Sequence, residues 1–409
     1  MNSGSEPGTT PAQQLRPARS RPAESAAQLV AWAGCILGLI FAADICLLML
    51  TGAGSERRDF VSYWASGQQL IHRQNPYDAV AIAHLEHALG FPMESDALIV
   101  RNPPFALVLV APLGLVGFRT GSLLWSLLLL VCWAISVGSL RAMQAGAVPR
   151  FRVFGYPFSA EWPVLLFAPA LACMFFGQTA LVALLGFVLF LRWHRSRPLL
   201  AGISLWLCAV KPHLLLPFAL VLVLWIAVTR SYAVFAGAVI ALGASSVLVF
   251  RIDPQVWTQY AQMMRTAGLE REFIPCLGIA LRFALDRGAA WLQYVPAVIG
   301  AAWAAWYYLS RRAAWDWREH GPLLVLVSVV ASPYAWLTDE ALAMPALFLA
   351  ANRSSLQTLA TPVLASAAIE AAILASISLH SAFYLWTAPA WLFWFLYAMH
   401  SRARDDSAA

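Results

Sequence analysis

Long apolar runs alternate with short polar, arginine-bearing segments from about residue 29 to residue 399. A run of roughly 20 apolar residues at 1.5 Å per residue matches a hydrocarbon core about 30 Å thick, so this alternation reads as a succession of membrane spans. The pattern predicts helices over 29–51, 121–141, 163–176, 179–192, 198–210, 213–229, 232–250, 291–309, 321–334, 340–351, 360–378 and 383–399. The expected fold class is therefore an all-α polytopic membrane protein with about 12 transmembrane helices. Several runs are too short for a full crossing and read as broken helices or as helices extended by polar neighbours.

Residues 1–28, rich in Ser, Pro, Gln, Ala and Arg without periodicity, read as a disordered cytoplasmic tail. The following run is longer than the apolar core of a signal peptide and lacks a small-residue cleavage site before Glu56, which makes it an uncleaved span. With Arg16, Arg19 and Arg21 inside, residues 52–103 form an external loop with helical stretches at 63–71 and 79–89. The apolar piece 104–118 is too short to span and is expected as a re-entrant half-helix in the outer leaflet. The expected organisation is a tail (1–28), a membrane domain (29–400, with 52–118 as first external loop and re-entrant helix) and a cytoplasmic tail (401–409). Alternating sides puts Arg141, Arg192, Arg195, Arg230, Arg311, Arg353 and Arg402 inside, as the positive-inside rule requires. This threading describes a multi-pass inner-membrane protein with both termini cytoplasmic.

Composition agrees: 60% of residues are hydrophobic, 12% charged, and the mean hydropathy is +0.67, outside the range of soluble domains. The 18 Trp and 22 Phe suit interfacial anchoring and lipid-facing packing. A formal charge of +6 also fits a nucleic-acid binder, but the arginines sit in short clusters between apolar runs, so membrane lipids are the expected surroundings and nucleic acid is not an expected partner. Among 27 basic residues Lys211 is the single lysine. The six cysteines show no metal spacing and read as small buried hydrophobes; no cofactor or metal is called for.

Four segments carry polar groups that a bilayer does not tolerate without a reason, and the threading places all of them outside. They are Arg57-Arg58-Asp59-Phe60 with Tyr63-Trp64, Gly177-Gln178-Thr179, Lys211-Pro212-His213, and Ser332-Pro333-Tyr334 through Asp339-Glu340. Pro and Gly breaks and ionisable groups at such depth are tolerated where they line a water-filled cavity. Each has a plainer reading: Asp59 as a juxtamembrane ion pair, Lys211 as a snorkelling side chain, Gln178 as a helix cap, Asp339 and Glu340 as a solvated helix start, and His213 as structural. Asp44 and Glu370 fall inside predicted spans, either as proton-relay groups or buried against polar partners.

Together these segments resemble glycosyltransferase family 87 of the C superfamily, membrane enzymes that use polyprenyl-phosphate sugars. The resemblance rests on Asp59-Phe60-x-x-Tyr63-Trp64-Ala65-x-Gly67, then Asn75-Pro76-Tyr77-Asp78, Asn102-Pro103-Pro104-Phe105, Gly177-Gln178, Gly202 through Lys211-Pro212, and Ser332-Pro333 to Asp339. It implies a C-superfamily fold with an aspartate base in the first external loop, which maps onto Asp59. It also implies transfer of a hexosyl (mannosyl-like) or pentosyl residue, outside the cytoplasm, from a polyprenyl-phosphate-linked sugar to an envelope glycolipid or glycan acceptor. The late segment matches only approximately at Trp336-Leu337-Thr338-Asp339. On this reading Lys211 and Arg101, with Arg265 or Arg271 assisting, hold the donor phosphate. Arg58, Tyr63, Trp64, Asn75, Tyr77, Gln178, His213 and Asp339 are the expected substrate contacts. The competing readings are a multi-span transporter or lipid flippase, which would show midplane charge pairs or a repeated half, and an inactive assembly subunit.

Overall fold

The structure, a computed structural model, describes residues 22–51, 58–91, 98–144, 150–154, 156–266 and 272–408. Among them the chain opens with α1 (Pro22–Thr51), α2 (Arg58–Ile71) and α3 (Ala79–Ala88), followed by two 3-10 turns, Pro104–Leu109 and Ala111–Leu115. Next come α4 (Phe118–Met143), the hairpin of β1 (Arg150–Val153) and β2 (Tyr156–Ser159), α5 (Trp162–Leu165), α6 (Ala168–Phe176), α7 (Ala180–Trp193) and α8 (Pro198–Cys208). A 3-10 turn at Pro212–Leu215 leads into α9 (Leu216–Thr229), then α10 (Tyr232–Ile252), α11 (Val256–Thr266), α12 (Leu277–Leu285) and α13 (Val295–Arg311). The chain closes with α14 (Trp317–Val330), a 3-10 turn at Leu337–Ala343 running into α15 (Met344–Ala351), α16 (Leu356–Leu374) and α17 (Thr387–Ala408).

Among the described residues, five helical segments are long and apolar enough to cross a membrane: Ser25–Leu47, Phe118–Met143, Pro212–Thr229, Tyr232–Ile252 and Leu356–Leu374. Their outward faces expose large side chains such as Leu39, Leu127, Val223, Val239 and Leu364, the surface expected of helices solvated by lipid. The chain is an all-α membrane protein apart from one short antiparallel hairpin, in which Arg150 pairs with Ser159 and Val153 with Tyr156. Inside the lipid-facing helices lies α7, only 14 residues or about 21 Å long and buried almost all round. Flanking it, α8 crosses α10 through Gly202 and Gly237, where a Cβ on either would collide with the other helix's backbone. In the same way α1 meets α16 where Val363 fills the space above Gly34.

The structure differs from the sequence expectations at identifiable places. The tail expected through residue 28 ends earlier, because Pro22 opens α1: at the first helical position its missing N–H is one the helix leaves unpaired anyway, and Ala-rich sequence follows. Residues 104–118 do not form an α-helical half-span. Pro104 and Pro112 lack N–H donors, so the segment folds as two 3-10 turns, the first packed on α10 and the second on α2, with Leu107, Val110 and Leu113 buried. The span expected from residue 340 begins as the wholly buried 3-10 turn Leu337–Ala343. Residues 251–287, read as a loop, contain α11 and α12, whose mixed polar and apolar faces escape a search for continuous apolar runs. At the C-terminus, 401–408 continue α17.

Candidate functional site

Asp59 and Tyr63 lie one helical turn apart at the start of α2, a spacing that sets both side chains on one face. That face is fixed from behind. Gly67 of α2 and Gly114 of the second 3-10 turn meet backbone to backbone, Gln68 Nε2 donates to the Gly114 carbonyl at 2.6 Å, and Trp64 Nε1 donates to the Val116 carbonyl at 2.9 Å. Asp59 is half-buried and Tyr63 buried, with its ring 5.3 Å from that of Trp125.

The break between α6 and α7 brings in Gln178. Gly177 ends α6 at φ +77°, a left-handed conformation costly for a residue with a Cβ, and such a Cβ would sit 3.0 Å from that of Phe60. Trp125 Nε1 of α4 donates to the freed Gly177 carbonyl at 2.7 Å, and Cys173 Sγ donates to the Gln178 carbonyl at 3.0 Å. The turn is therefore held from three sides, with Gln178 half-exposed above it.

Lys211 lies in the break after α8, held out of the helical region because it precedes proline, and Pro212 opens the next turn. Its ammonium is buried and donates to Asp339 Oδ1 at 2.5 Å and to Gln178 Oε1 at 2.9 Å. Gln178 Oε1 also accepts from Tyr63 Oη at 3.3 Å. Since an ammonium only donates, Gln178 must turn its oxygen inward and its NH2 outward. Asp339, 1% exposed, is locked by its own turn: Oδ2 accepts from the Trp336 N–H at 3.0 Å, and its N–H donates to the Trp336 carbonyl at 2.9 Å. Burial by itself lowers the Lys211 pKa, but the Asp339 carboxylate, then Tyr63, outweigh it and hold the ammonium above the usual lysine range. Burial pushes the Tyr63 phenol up to about 12, Lys211 partly opposes this, and Asp59 adds to it, so Tyr63 stays a neutral hydrogen-bond donor.

Around this chain of four residues lies a second ring of contacts. Arg101 forms a bidentate pair with Glu272, at 2.7 and 3.3 Å. Asn102 Nδ2 donates to the Val210 carbonyl next to Lys211 at 2.8 Å, while Tyr77 Oη donates to the Asn102 carbonyl at 3.0 Å. His213 stacks on Tyr334, centroids 3.8 Å apart, and Ser332 Oγ bridges the carbonyls of His213 and Tyr334.

The four segments singled out by polarity thus converge on one place, contributed by α2, the α6–α7 break, the α8–α9 break and the turn before α15. Trp64 and Asn75 are not part of the hydrogen-bonded set. The Trp64 N–H is spent on Val116, and Asn75 Oδ1 accepts from the Tyr77 N–H at 3.0 Å to shape a turn. Arg265 is exposed at the end of α11. Arg57 and Arg271 lie outside the described residues, as does the side chain of Arg58. Sequence reasoning missed Glu272, whose only signal was an opposite charge in the loop read as structureless, and the Tyr334–His213 stack.

Chemically the site offers a carboxylate on α2, a neutral phenol one turn away, an amide with its NH2 pointing out, and an ammonium. Of the three Lys211 N–H donors two are used, leaving one for an anionic oxygen. The sequence model of the family described as Glycosyltransferase family 87 matches residues 101–333, more than half of the chain. That stretch contains Arg101, Gln178, Lys211 and His213, begins after Asp59 and ends before Asp339. No curated protein and no solved structure matches the chain.

Proposed function

The chain belongs to glycosyltransferase family 87 and is a glycosyltransferase, and on that premise we propose that it moves a hexosyl, mannosyl-like, or pentosyl residue from a polyprenyl-phosphate sugar to an envelope glycolipid or glycan. On this reading it has a C-superfamily fold with about 12 spans. It lies in the inner membrane with both termini in the cytoplasm and works on the periplasmic side. One observation carries the proposal: the hydrogen-bonded chain Tyr63–Gln178–Lys211–Asp339, with Asp59 one turn from Tyr63 on the same helix face.

A sugar on a polyprenyl phosphate leaves behind a phosphate monoester, which departs without protonation, so one carboxylate suffices. This differs from glycoside hydrolysis, in which an alkoxide leaves and a second carboxyl must act as acid. Asp59 takes the proton of the acceptor hydroxyl as that oxygen bonds to the anomeric carbon from the face opposite the phosphate. The carbon–oxygen bond to phosphate breaks, and configuration inverts. The remaining Lys211 N–H meets the phosphate and offsets the charge that grows on it, with Asp339 and Gln178 holding the ammonium in place. The outward NH2 of Gln178 and the Tyr63 hydroxyl orient the sugar between base and phosphate. Arg101, anchored by Glu272, sits at the edge of this ring and extends the cationic side of the site.

Asp59→Asn tests the assignment. Transfer from a polyprenyl-phosphate sugar in membranes is expected to fall by roughly 10²–10⁴, with insertion and abundance unchanged. Wild-type transfer by this variant overturns the role of Asp59.

A further inference from the structure

The helices that carry the site at one end frame a separate cavity at the other. Gln178 precedes the first residue of α7 and Leu191 lies in its last turn, so some 14 residues, about 20 Å, separate the two places. Likewise Ser332 follows the end of α14, whereas its first turn, Trp317–His320, borders the cavity. The cavity measures about 460 Å³. Its lining mixes apolar groups, among them Leu140, Met143, Phe348 and Leu349, with two cations and two anions, Arg318, Arg353, Asp316 and Glu319.

These polar groups are unequally satisfied. Asp316 is occupied, with Arg195 at 3.4 Å and the N–H of Arg318 at 3.0 Å, while the Arg318 guanidinium reaches the Leu191 and Arg192 carbonyls, each at 3.4 Å. Arg353, by contrast, has five N–H donors and, among the described residues, bonds only to Met399 Sδ at 3.6 Å. Glu319 is exposed, and its carboxylate makes no hydrogen bond or ion pair among the described residues. Asn352 donates to the Phe348 carbonyl at 2.7 Å, yet its Oδ1 is buried and accepts from nothing. A buried acceptor left empty is unfavourable, so the cavity lacks a donor at Asn352 and an anion at Arg353.

We propose that this cavity binds the phosphoethanolamine headgroup of a phospholipid from the leaflet on the arginine-rich side. The ammonium donates to Asn352 Oδ1 and faces Glu319, and the phosphate accepts from Arg353. With two cations and two anions in its wall, the cavity has no net charge to favour a plain anion. A trimethylated head has no N–H for Asn352, and a glycerol head has no cation for Glu319. A lipid fits better than a soluble phosphoamine because the apolar wall of Leu140, Met143, Phe348 and Leu349 lies beside the charged groups, so that an acyl chain can follow the headgroup.

The test uses the full-length protein, stripped of lipid in detergent and titrated with phosphatidylethanolamine, phosphatidylcholine or phosphatidylglycerol, with bound lipids counted by native mass spectrometry. One tightly held phosphatidylethanolamine is expected, retained roughly tenfold better than either other lipid, and lost in Arg353→Gln and in Glu319→Gln. Glu319 is exposed, so its variant reports on binding and not on folding. Equal retention of the three lipids, or unchanged retention in both variants, overturns the proposal. Displacement of the lipid by an equal concentration of free phosphoethanolamine also overturns it, by assigning the cavity to a soluble solute. Asp59 and Lys211 play no part, so the outcome is independent of the transfer reaction.

Discussion

Lys211 is the residue whose meaning the structure changes most. Its rarity marked it out, but a lone lysine beside a proline also fits a snorkelling side chain with its charge in water. The ammonium instead lies buried between Asp339 and Gln178, and its charge is compensated by a carboxylate 128 positions away in the chain. An ion pair of this kind is costly to break from one side, because the partner is left buried and uncompensated, at about 3–5 kcal/mol. Lys211→Met is therefore expected to destabilise the protein by that order in detergent thermal unfolding. Lys211→Met combined with Asp339→Leu is expected to recover most of the loss without recovering transfer. Full recovery of transfer by the double variant would remove the pair from the donor site. Arg101 follows the same logic more weakly, since Glu272 holds it in a partly exposed position. That both cations would find acidic partners was not legible, because the partners are distant in sequence and carry no pattern of their own.

Among the elements, the short ones matter more than the long. The full-length spans α4 and α10 follow directly from apolar run length, and their exposed faces meet lipid. The site is built where helices stop: at Gly177, at Lys211-Pro212 and at the 3-10 turn of 337–343. Each stop has a local cause visible in the sequence, a glycine, a proline or a Ser-Pro pair. Gly177→Ala probes one of them, since a Cβ at φ +77° costs on the order of 1–2 kcal/mol and would press on Phe60. A drop of that size in unfolding free energy is expected, with transfer reduced as Gln178 shifts away from Lys211. An unaltered stability and rate would mean that the break tolerates a right-handed path. The elements that sequence reasoning got wrong are the 104–115 turns, α11 and α12. In α11 and α12 the apolar residues keep to one face, so no continuous run announces them, whereas 104–115 is a continuous apolar run that Pro104 and Pro112 keep out of an α-helix.

For the whole molecule, the arginine clusters and the polar segments gather at opposite ends of the same helices, as α7 and α14 demonstrate. Val80, 67% exposed, is expected to react as Val80→Cys with an impermeant thiol reagent in intact cells, whereas Arg197→Cys reacts only after lysis. The reverse result would invert the threading and move transfer to the cytoplasmic side. The membrane solvent, the helical class, the break points and the common side of the odd polar residues were determined by the sequence alone, because each depends on local composition and on length against a fixed bilayer thickness. Which of those residues touch was decided only by the tertiary structure. The same holds for the cavity at the far end, where Asn352 and Arg353 wait on a lipid-facing helix more than 200 residues earlier in the chain. Contacts such as Lys211 with Asp339 depend on how helices cross, and crossings are set by glycine-lined close approaches between distant segments, such as Gly202 with Gly237, whose pairing no local pattern encodes.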